Sequence, residues 1–455
     1  MKVALVFPRF AYPSGDVPLG LCYLAGAILK HTKAEVEILD TTFLEENPMK
    51  FLERKFMENE YEYAGFSVMT TTIKDSNKVA KMIKRVSPKT KIIYGGPQPT
   101  IMPEEILKVK EVDAVALKEG EETFVEITKK KGDFKGIKGI WYKENGKIIK
   151  NPERKPIENI DDIPFPARHL VDMERYLQNW YQMDAVDTNL RGTSLLASRG
   201  CPYRCSYCQP ILDEMFGKGM RKRSAKNIVS EMKHLKETYN INAFDYADDT
   251  FTINPGWVNE VCDEMIKENL NLSWMCNTRA HLVNEELFTK MKKAGLKQVY
   301  IGMESGSQRI LDEIYQKDIK VNQVENAVNI LNRLGIKVHG YFMVGAPTET
   351  EEEIKQTIKF AKKLDITTAT FSIATPLPLT HLYNKTKHMI DADIEDMDYY
   401  KNPVYRAGDN MLPPSKIQYW KRRALLEFYL HPKRLGSTIK QLLSVRKAYN
   451  KLKRF

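Results

Sequence analysis

The 455-residue chain has no run of about 18 consecutive apolar residues, which excludes a spanning helix at the level of sequence. The apolar stretch at Met1–Pro8 is too short for a signal peptide, and no cleavage site follows it. Both absences predict a cytoplasmic protein. Cysteine is scarce. Six in so long a chain cannot build a disulfide scaffold, so clustered thiols read as metal ligands. The eight histidines are scattered and suggest no catalytic group. The phosphate-binding string Gly-x-Gly-x-x-Gly is missing, which disfavours a dinucleotide. Acidic residues nearly vanish at the end. From Lys416 onward there are twelve Lys or Arg and one acid, Glu427, out of 70 and 59 in all, leaving 58 of each before it. The body is therefore neutral and the tail carries the whole net charge of +11, which argues against a nucleic-acid surface spread over the protein.

What is present is ordinary for a globular chain: 42% hydrophobic and 28% charged residues, with length for about three domains. Short apolar runs alternate with helical patterns at Val3–Phe7, Val36–Leu39, Ala64–Val68, Lys91–Tyr94 and Ala114–Leu117. Near-continuous apolar strands separated by helices predict a doubly wound, Rossmann-like parallel sheet covered on both faces. Ligands of such sheets bind beyond the carboxyl ends of the strands. A hairpin around Asn145-Gly146 and a proline-rich stretch from Asn151 to Leu170 follow. A second alternation runs through Ser194–Ala197, Ala243–Tyr246, Leu272–Cys276, Gln298–Gly302, Lys337–Val344 and Thr368–Ile373. Six β/α units predict a partial (β/α)6 barrel. Ser415 and Gln418 form a capping-box pattern for a helix to about Leu430. The expected α/β organisation is a sheet domain at 1–135, hairpin and linker at 136–190, a partial barrel at 191–385 and a helical extension at 386–455.

Directly after the first barrel strand come Cys201, Cys205 and Cys208, with Tyr207 before the last. Zinc sites usually take four ligands, often in Cys-x-x-Cys pairs. Here there are three, with no close fourth Cys or His. A cubane cluster takes one thiolate per iron, so three thiolates leave one iron open for a chelating substrate. The string resembles the Cys-x-x-x-Cys-x-aromatic-Cys pattern of the radical S-adenosylmethionine superfamily. The resemblance implies a [4Fe–4S] cluster that reductively cleaves S-adenosylmethionine to a 5′-deoxyadenosyl radical. It implies S-adenosylmethionine contacts by Tyr207, by Asp248 and Asp249 after the second barrel strand, and by Arg279 after the third, opposite the methionyl carboxylate. Glu304, Ser305 and Gly306 resemble the family's Glu-Ser-Gly motif, with Glu304 on the ribose. Gly345 and Pro347 resemble its turn near adenine. Cys22 and Cys262 read as core. Cys276, Tyr300 and Tyr341 read either as core or as groups facing substrate.

The string Asp16–Ala25, the Gly95-Gly96-Pro97 turn and Glu119-Gly120-Glu121-Glu122 together resemble the cobalamin-binding domain that precedes many radical enzymes. The resemblance implies cobalamin contacts by Pro18, Leu19 and Gly20; Ser67, Met69, Thr70 and Thr71; Gly95, Gly96 and Gln98; and Glu119, Gly120 and Glu121. The string Asp-x-His-x-x-Gly is absent, so no histidine ligand to cobalt is expected, and Gln98 stands where relatives often have histidine. Together the resemblances imply C-methylation of an unactivated carbon on a lipid, cofactor or peptide, with an electron donor of ferredoxin or flavodoxin type. A cobalamin-assisted cyclase or oxidising enzyme and a non-catalytic corrinoid-binding partner protein are the alternatives. After Pro432, Leu435, Ile439, Leu442, Val445, Tyr449 and Leu452 recur at helical spacing among basic residues. This basic amphipathic pattern reads as a lid on the barrel or a peripheral contact with an anionic membrane, and nucleic acid is disfavoured for want of interleaved aromatics.

Overall fold

A computed structural model describes residues 1–10, 14–398, 403–408 and 411–436. They form two compact units: Met1–Tyr176 with Ile211–Arg221, and Leu177–Pro210 with the chain from Lys222 onward.

In the first unit, β1 (Lys2–Phe7), α1 (Leu19–His31), β2 (Glu35–Asp40), α2 (Pro48–Glu58), β3 (Tyr63–Ser67), α3 (Ile73–Val86), β4 (Lys91–Gly95), α4 (Pro97–Ile101), α5 (Pro103–Lys108), β5 (Ala114–Ala116) and α6 (Glu121–Lys129) alternate. The sheet order is β2-β1-β3-β4-β5, all parallel. Val3, Ala4, Leu5 and Val6 are fully buried, since helices cover both faces. The order reverses between β1 and β3, which opens a crevice at the carboxyl edge. The hairpin forms as β6 (Ile140–Glu144) and β7 (Lys147–Lys150), with Asn145 and Gly146 both at positive φ. It does not stand apart: β6 pairs antiparallel with β5 and extends the sheet. Two short helices, α7 (Met173–Asn179) and α8 (Ile211–Phe216), fall where the chain passes between the units.

The second unit is built on β8 (Gly192–Leu195), short β9 (Ser198–Arg199), α9 (Ala225–Tyr239), β11 (Ala243–Tyr246), α10 (Pro255–Lys267), β12 (Ser273–Thr278), α11 (Glu285–Lys293), β13 (Leu296–Glu304), α12 (Val321–Arg333), β14 (Lys337–Val344), α13 (Glu351–Lys363) and β15 (Thr368–Ile373), while the two-residue β10 (Arg221–Lys222) begins on the last residue of the first unit. Six parallel strands lie in sequence order, β8-β11-β12-β13-β14-β15, a half-barrel. Its helix-facing side is aromatic, with Tyr246 stacked on Phe251 at 4.1 Å and Trp274 against both. Its opposite side is polar: Asp245 accepts from Trp180 Nε1 at 3.0 Å and Ser194 Oγ at 2.9 Å.

After α14 (His381–Thr386), α15 (Pro414–Tyr429) packs on β15, where Tyr429 donates to the Ala369 carbonyl at 2.8 Å. The capping box expected at Ser415 is not used. Pro413 is the N-cap and Pro414 opens the helix, because a proline in the first turn sacrifices no intrahelical bond. Ser415 therefore lies one step inside. The apolar repeat from Ile439 onward lies outside the described residues. Among the described residues no helix is long and apolar enough to cross a membrane.

Candidate functional site

The loop after β8 carries the three thiols. Cys201 and Cys205 are buried and Cys208 is half-buried. The amides of Cys208 and Gln209 both donate to the Cys205 carbonyl at 3.0 Å, which folds the loop tightly. Ser206 N donates to Tyr315 O at 2.9 Å, and Gln209 Nε2 to Cys201 O at 3.1 Å. Asp248 clamps the start of the loop: its carboxylate accepts from Ala197 N at 3.0 Å and from Ser198 Oγ. Burial pushes Asp248 up to about 7. Desolvation also raises the Cys201 and Cys208 thiols, so a metal must displace their protons. Among the described residues no three His, Cys, Asp or Glu side chains gather closely enough for one ion. A cubane cluster takes one thiolate per iron, so three thiolates on one tight loop suit a cluster with one iron left open.

Glu304 ends β13 at φ 60, a left-handed conformation uncommon for a residue with a side chain. Its Oε1 accepts from Tyr207 OH at 3.0 Å and from Lys317 Nζ at 2.7 Å, and Lys317 Nζ also donates to Tyr207 OH at 2.9 Å. These bonds leave Oε2 as an acceptor for a ligand. Lys317 is only 5% exposed, which a lysine tolerates when paired. A Cβ at Gly302 would crowd Glu304 Oε1 first and Lys317 Nζ at 2.7 Å, so a side chain there would displace the pair.

The other expected contacts sort into exposed and structural. Asp249 is exposed beside the loop. Ser305 is fully buried; its hydroxyl pairs with Thr357 Oγ1 at 3.1 Å and accepts from Ser307 N. Gly306 permits close approach of α13: a Cβ would lie 2.8 Å from Gln356 O. Gly345, at φ 81, likewise admits Ile417 of α15. Pro347 is buried in the turn capped by Glu349, which accepts from Gly345 N at 2.6 Å and Ala346 N at 3.0 Å. Arg279 is buried, with Nη1 3.1 Å from Cys205 Sγ. Cys22, Cys262 and Cys276 are all buried; Cys276 is wholly enclosed, so it offers nothing to a substrate. Tyr341 is 37% exposed and forms one aromatic group with Tyr300 and His339.

In the first unit, Leu19, Gly20, Ser67, Met69, Thr71, Gly95, Gly96 and Gly120 present surface near the carboxyl ends of β1, β3, β4 and β5. Gly20 has open space where a Cβ would stand, and Met69 is 44% exposed. An open rim with an exposed apolar side chain fits the face of a large corrin ring. Pro18, Thr70, Gln98, Glu119 and Glu121 are buried. Thr70 Oγ1 donates to Gln98 Oε1 at 2.7 Å, tying the turn after β3 to α4. Glu119 accepts from Ile157 N and pairs with Arg221, both at 3.0 Å.

Lys317 escaped the sequence reading. It lies in Gln316-Lys317-Asp318, which looks like a solvated loop, and its partner Tyr207 is 110 residues away.

Comparison with known families places residues 195–361 in the radical SAM superfamily and residues 15–128 in the B12 binding domain. An uncharacterized methyltransferase of Pyrococcus horikoshii is 34% identical over 95% of this chain and 93% of its own. The anaerobic magnesium-protoporphyrin IX monomethyl ester cyclase of Rubrivivax gelatinosus is 27% identical over 88% of this chain and 72% of its own. The radical S-adenosylmethionine methyltransferase TsrM of Kitasatospora setae, solved with cobalamin and a [4Fe-4S] cluster, shares the fold, with a TM-score of 0.72 at 18% identity, over 95% of this chain and 82% of its own.

Proposed function

We propose that this chain, which belongs to the cobalamin-binding radical S-adenosylmethionine enzymes, transfers a methyl group to an unactivated carbon of a lipid, cofactor or peptide. When bound, the cluster and S-adenosylmethionine supply a carbon radical and cobalamin supplies the methyl group. The observation that carries the reading is the 201–208 loop: three free thiols, in the order Cys-x-x-x-Cys-x-Tyr-Cys, on the tight loop after the first barrel strand.

Cys201, Cys205 and Cys208 would hold the cluster. Glu304 Oε2 would accept from the ribose hydroxyls while Lys317 and Tyr207 fix its other oxygen. Asp248, Ser305, Gly306 and Gly345 shape the backbone around the ligand rather than touch it, on the contacts described above. The exposed rim from Leu19 and Gly20 to Gly120 would carry cobalamin, with Thr70, Gln98 and Glu119 bracing it. A low-potential one-electron reductant, of ferredoxin or flavodoxin type, completes the system.

The likeness to a cyclase supports a second reading, ring formation without methyl transfer. Product mass separates the two: methylation adds a methylene unit and cyclisation removes hydrogens.

The basic C-terminal region supports a peripheral contact with anionic lipid. Tyr419, Leu426, Leu430 and Leu435 are all exposed, and no acid follows Glu427. Co-sedimentation with phosphatidylglycerol vesicles should fall when residues 433–455 are deleted; unchanged binding would remove this part of the proposal.

A further inference from the structure

Arg279 follows β12 and is 5% exposed. Its Nη1 lies 3.1 Å from Cys205 Sγ, and its Nη2 donates to the Lys317 carbonyl. The guanidinium carbon lies 3.9 Å from the Tyr203 ring centre, within cation–π range. Its Nε is buried without a hydrogen-bond partner. Among the described residues no carboxylate forms an ion pair with it, although Asp318 acts on the same Tyr203 and His281 side chains that Arg279 does. A buried charge without a counterion is strongly unfavourable. The tyrosine face and a carbonyl offset that only in part. The group its fork reaches is a thiol that the reading above assigns to a cluster.

We propose that Arg279 is a positioning residue for the cluster: its Nη1 donates a charge-assisted hydrogen bond to the Cys205 thiolate and raises the cluster's reduction potential. The inference rests on the function proposed above. It departs from the methionyl-carboxylate role implied by resemblance, because the fork is directed at Cys205 Sγ and the Lys317 carbonyl. On reduction one electron from an external donor enters the cluster, and no bond or proton moves. That electron adds a negative charge beside a fixed cation. Hydrogen bonds to ligand sulfur and nearby charge are the protein's means of setting such potentials.

The test uses the full chain reconstituted anaerobically with iron and sulfide, without S-adenosylmethionine, poised with dithionite at fixed potential. Spin quantitation by electron paramagnetic resonance gives the ratio of reduced to oxidised cluster. Arg279→Gln should lower that ratio about tenfold, which is about 59 mV for a one-electron couple. Arg279→Lys, which keeps the charge, should keep most of it. An unchanged ratio in Arg279→Gln overturns the proposal, above all if S-adenosylmethionine affinity falls instead, since that result returns Arg279 to the carboxylate. Should Arg279→Gln take up no iron, wild-type protein labelled with 15N in its arginine guanidinium groups decides by pulsed resonance. A nitrogen coupling to the reduced cluster is expected, and its absence overturns the assignment. A wild-type chain that takes up no cluster overturns the functional reading itself, before any Arg279 variant is compared.

Discussion

At the scale of single residues, the Lys317–Glu304 pair bears most on the site. Both side chains are under a tenth exposed, and their 2.7 Å contact is shared with Tyr207. Removing one partner of a buried pair leaves the other charge unmatched, at a cost of about 3–5 kcal/mol. Lys317→Met should therefore lower the denaturant midpoint strongly. Adding Glu304→Gln to that variant should recover much of the loss, because no charge then remains unpaired. A double variant no more stable than Lys317→Met would contradict the pairing. The cysteine trio was legible in the sequence because its meaning lies in local spacing. Lys317 was not, because its partners lie 13 and 110 residues away and nothing in Gln316-Lys317-Asp318 marks it as buried.

At the scale of elements, the glycines separate packing from binding. A Cβ at Gly306 would meet Gln356 O at 2.8 Å and Thr357 Cα at 2.9 Å, backbone atoms that cannot yield without moving α13. Gly306→Ala should cost about 1–3 kcal/mol of stability. Gly20→Ala meets nothing within 4 Å, so it should leave the unfolding midpoint unchanged while weakening corrinoid uptake measured by absorbance. Equal midpoints for both variants would contradict this division. Strand β14 carries a second test. His339 is held between Thr368 Oγ1 at 2.7 Å and Thr370 Oγ1 at 3.1 Å, and burial pushes it down to about 3. A base with a depressed folded pKa stabilises the fold above its unfolded value of about 6.5 and loses that contribution as pH falls toward 3. The stability advantage of wild type over His339→Gln should shrink by roughly 1.4 kcal/mol per pH unit in that window. Parallel stability curves would refute it. The strands themselves were legible as apolar runs. The inner face of the half-barrel was less so: period alone marks alternate residues but not which set meets solvent, so Tyr341 became visible as exposed only in the fold. The start of α15 was misread because Pro413-Pro414 outweighs the Ser415 pattern.

At the scale of the whole molecule, two sheets of different kind each present their expected ligand contacts at a carboxyl edge, as parallel sheets do. That much follows from the order of apolar runs and from the glycine and polar strings that end them. The substrate is not written there, because half-barrels are shaped by residues such as Tyr300 and Tyr341, which stand outside the cysteine and Glu-Ser-Gly strings. The neutral body with a basic end places the charge excess in one region, which limits its role to local contacts. The central claim is one chain using a three-thiolate cluster and cobalamin for methyl transfer. The measurement that tests it most directly is anaerobic reconstitution with iron, sulfide and cobalamin, followed by assay with reductant and S-adenosylmethionine. The account predicts bound corrinoid with formation of both 5′-deoxyadenosine and S-adenosylhomocysteine, and loss of the deoxyadenosine in Cys201→Ala, Cys205→Ala or Cys208→Ala. Deoxyadenosine without S-adenosylhomocysteine would contradict methyl transfer, and neither product with a loaded cluster would contradict the account as a whole.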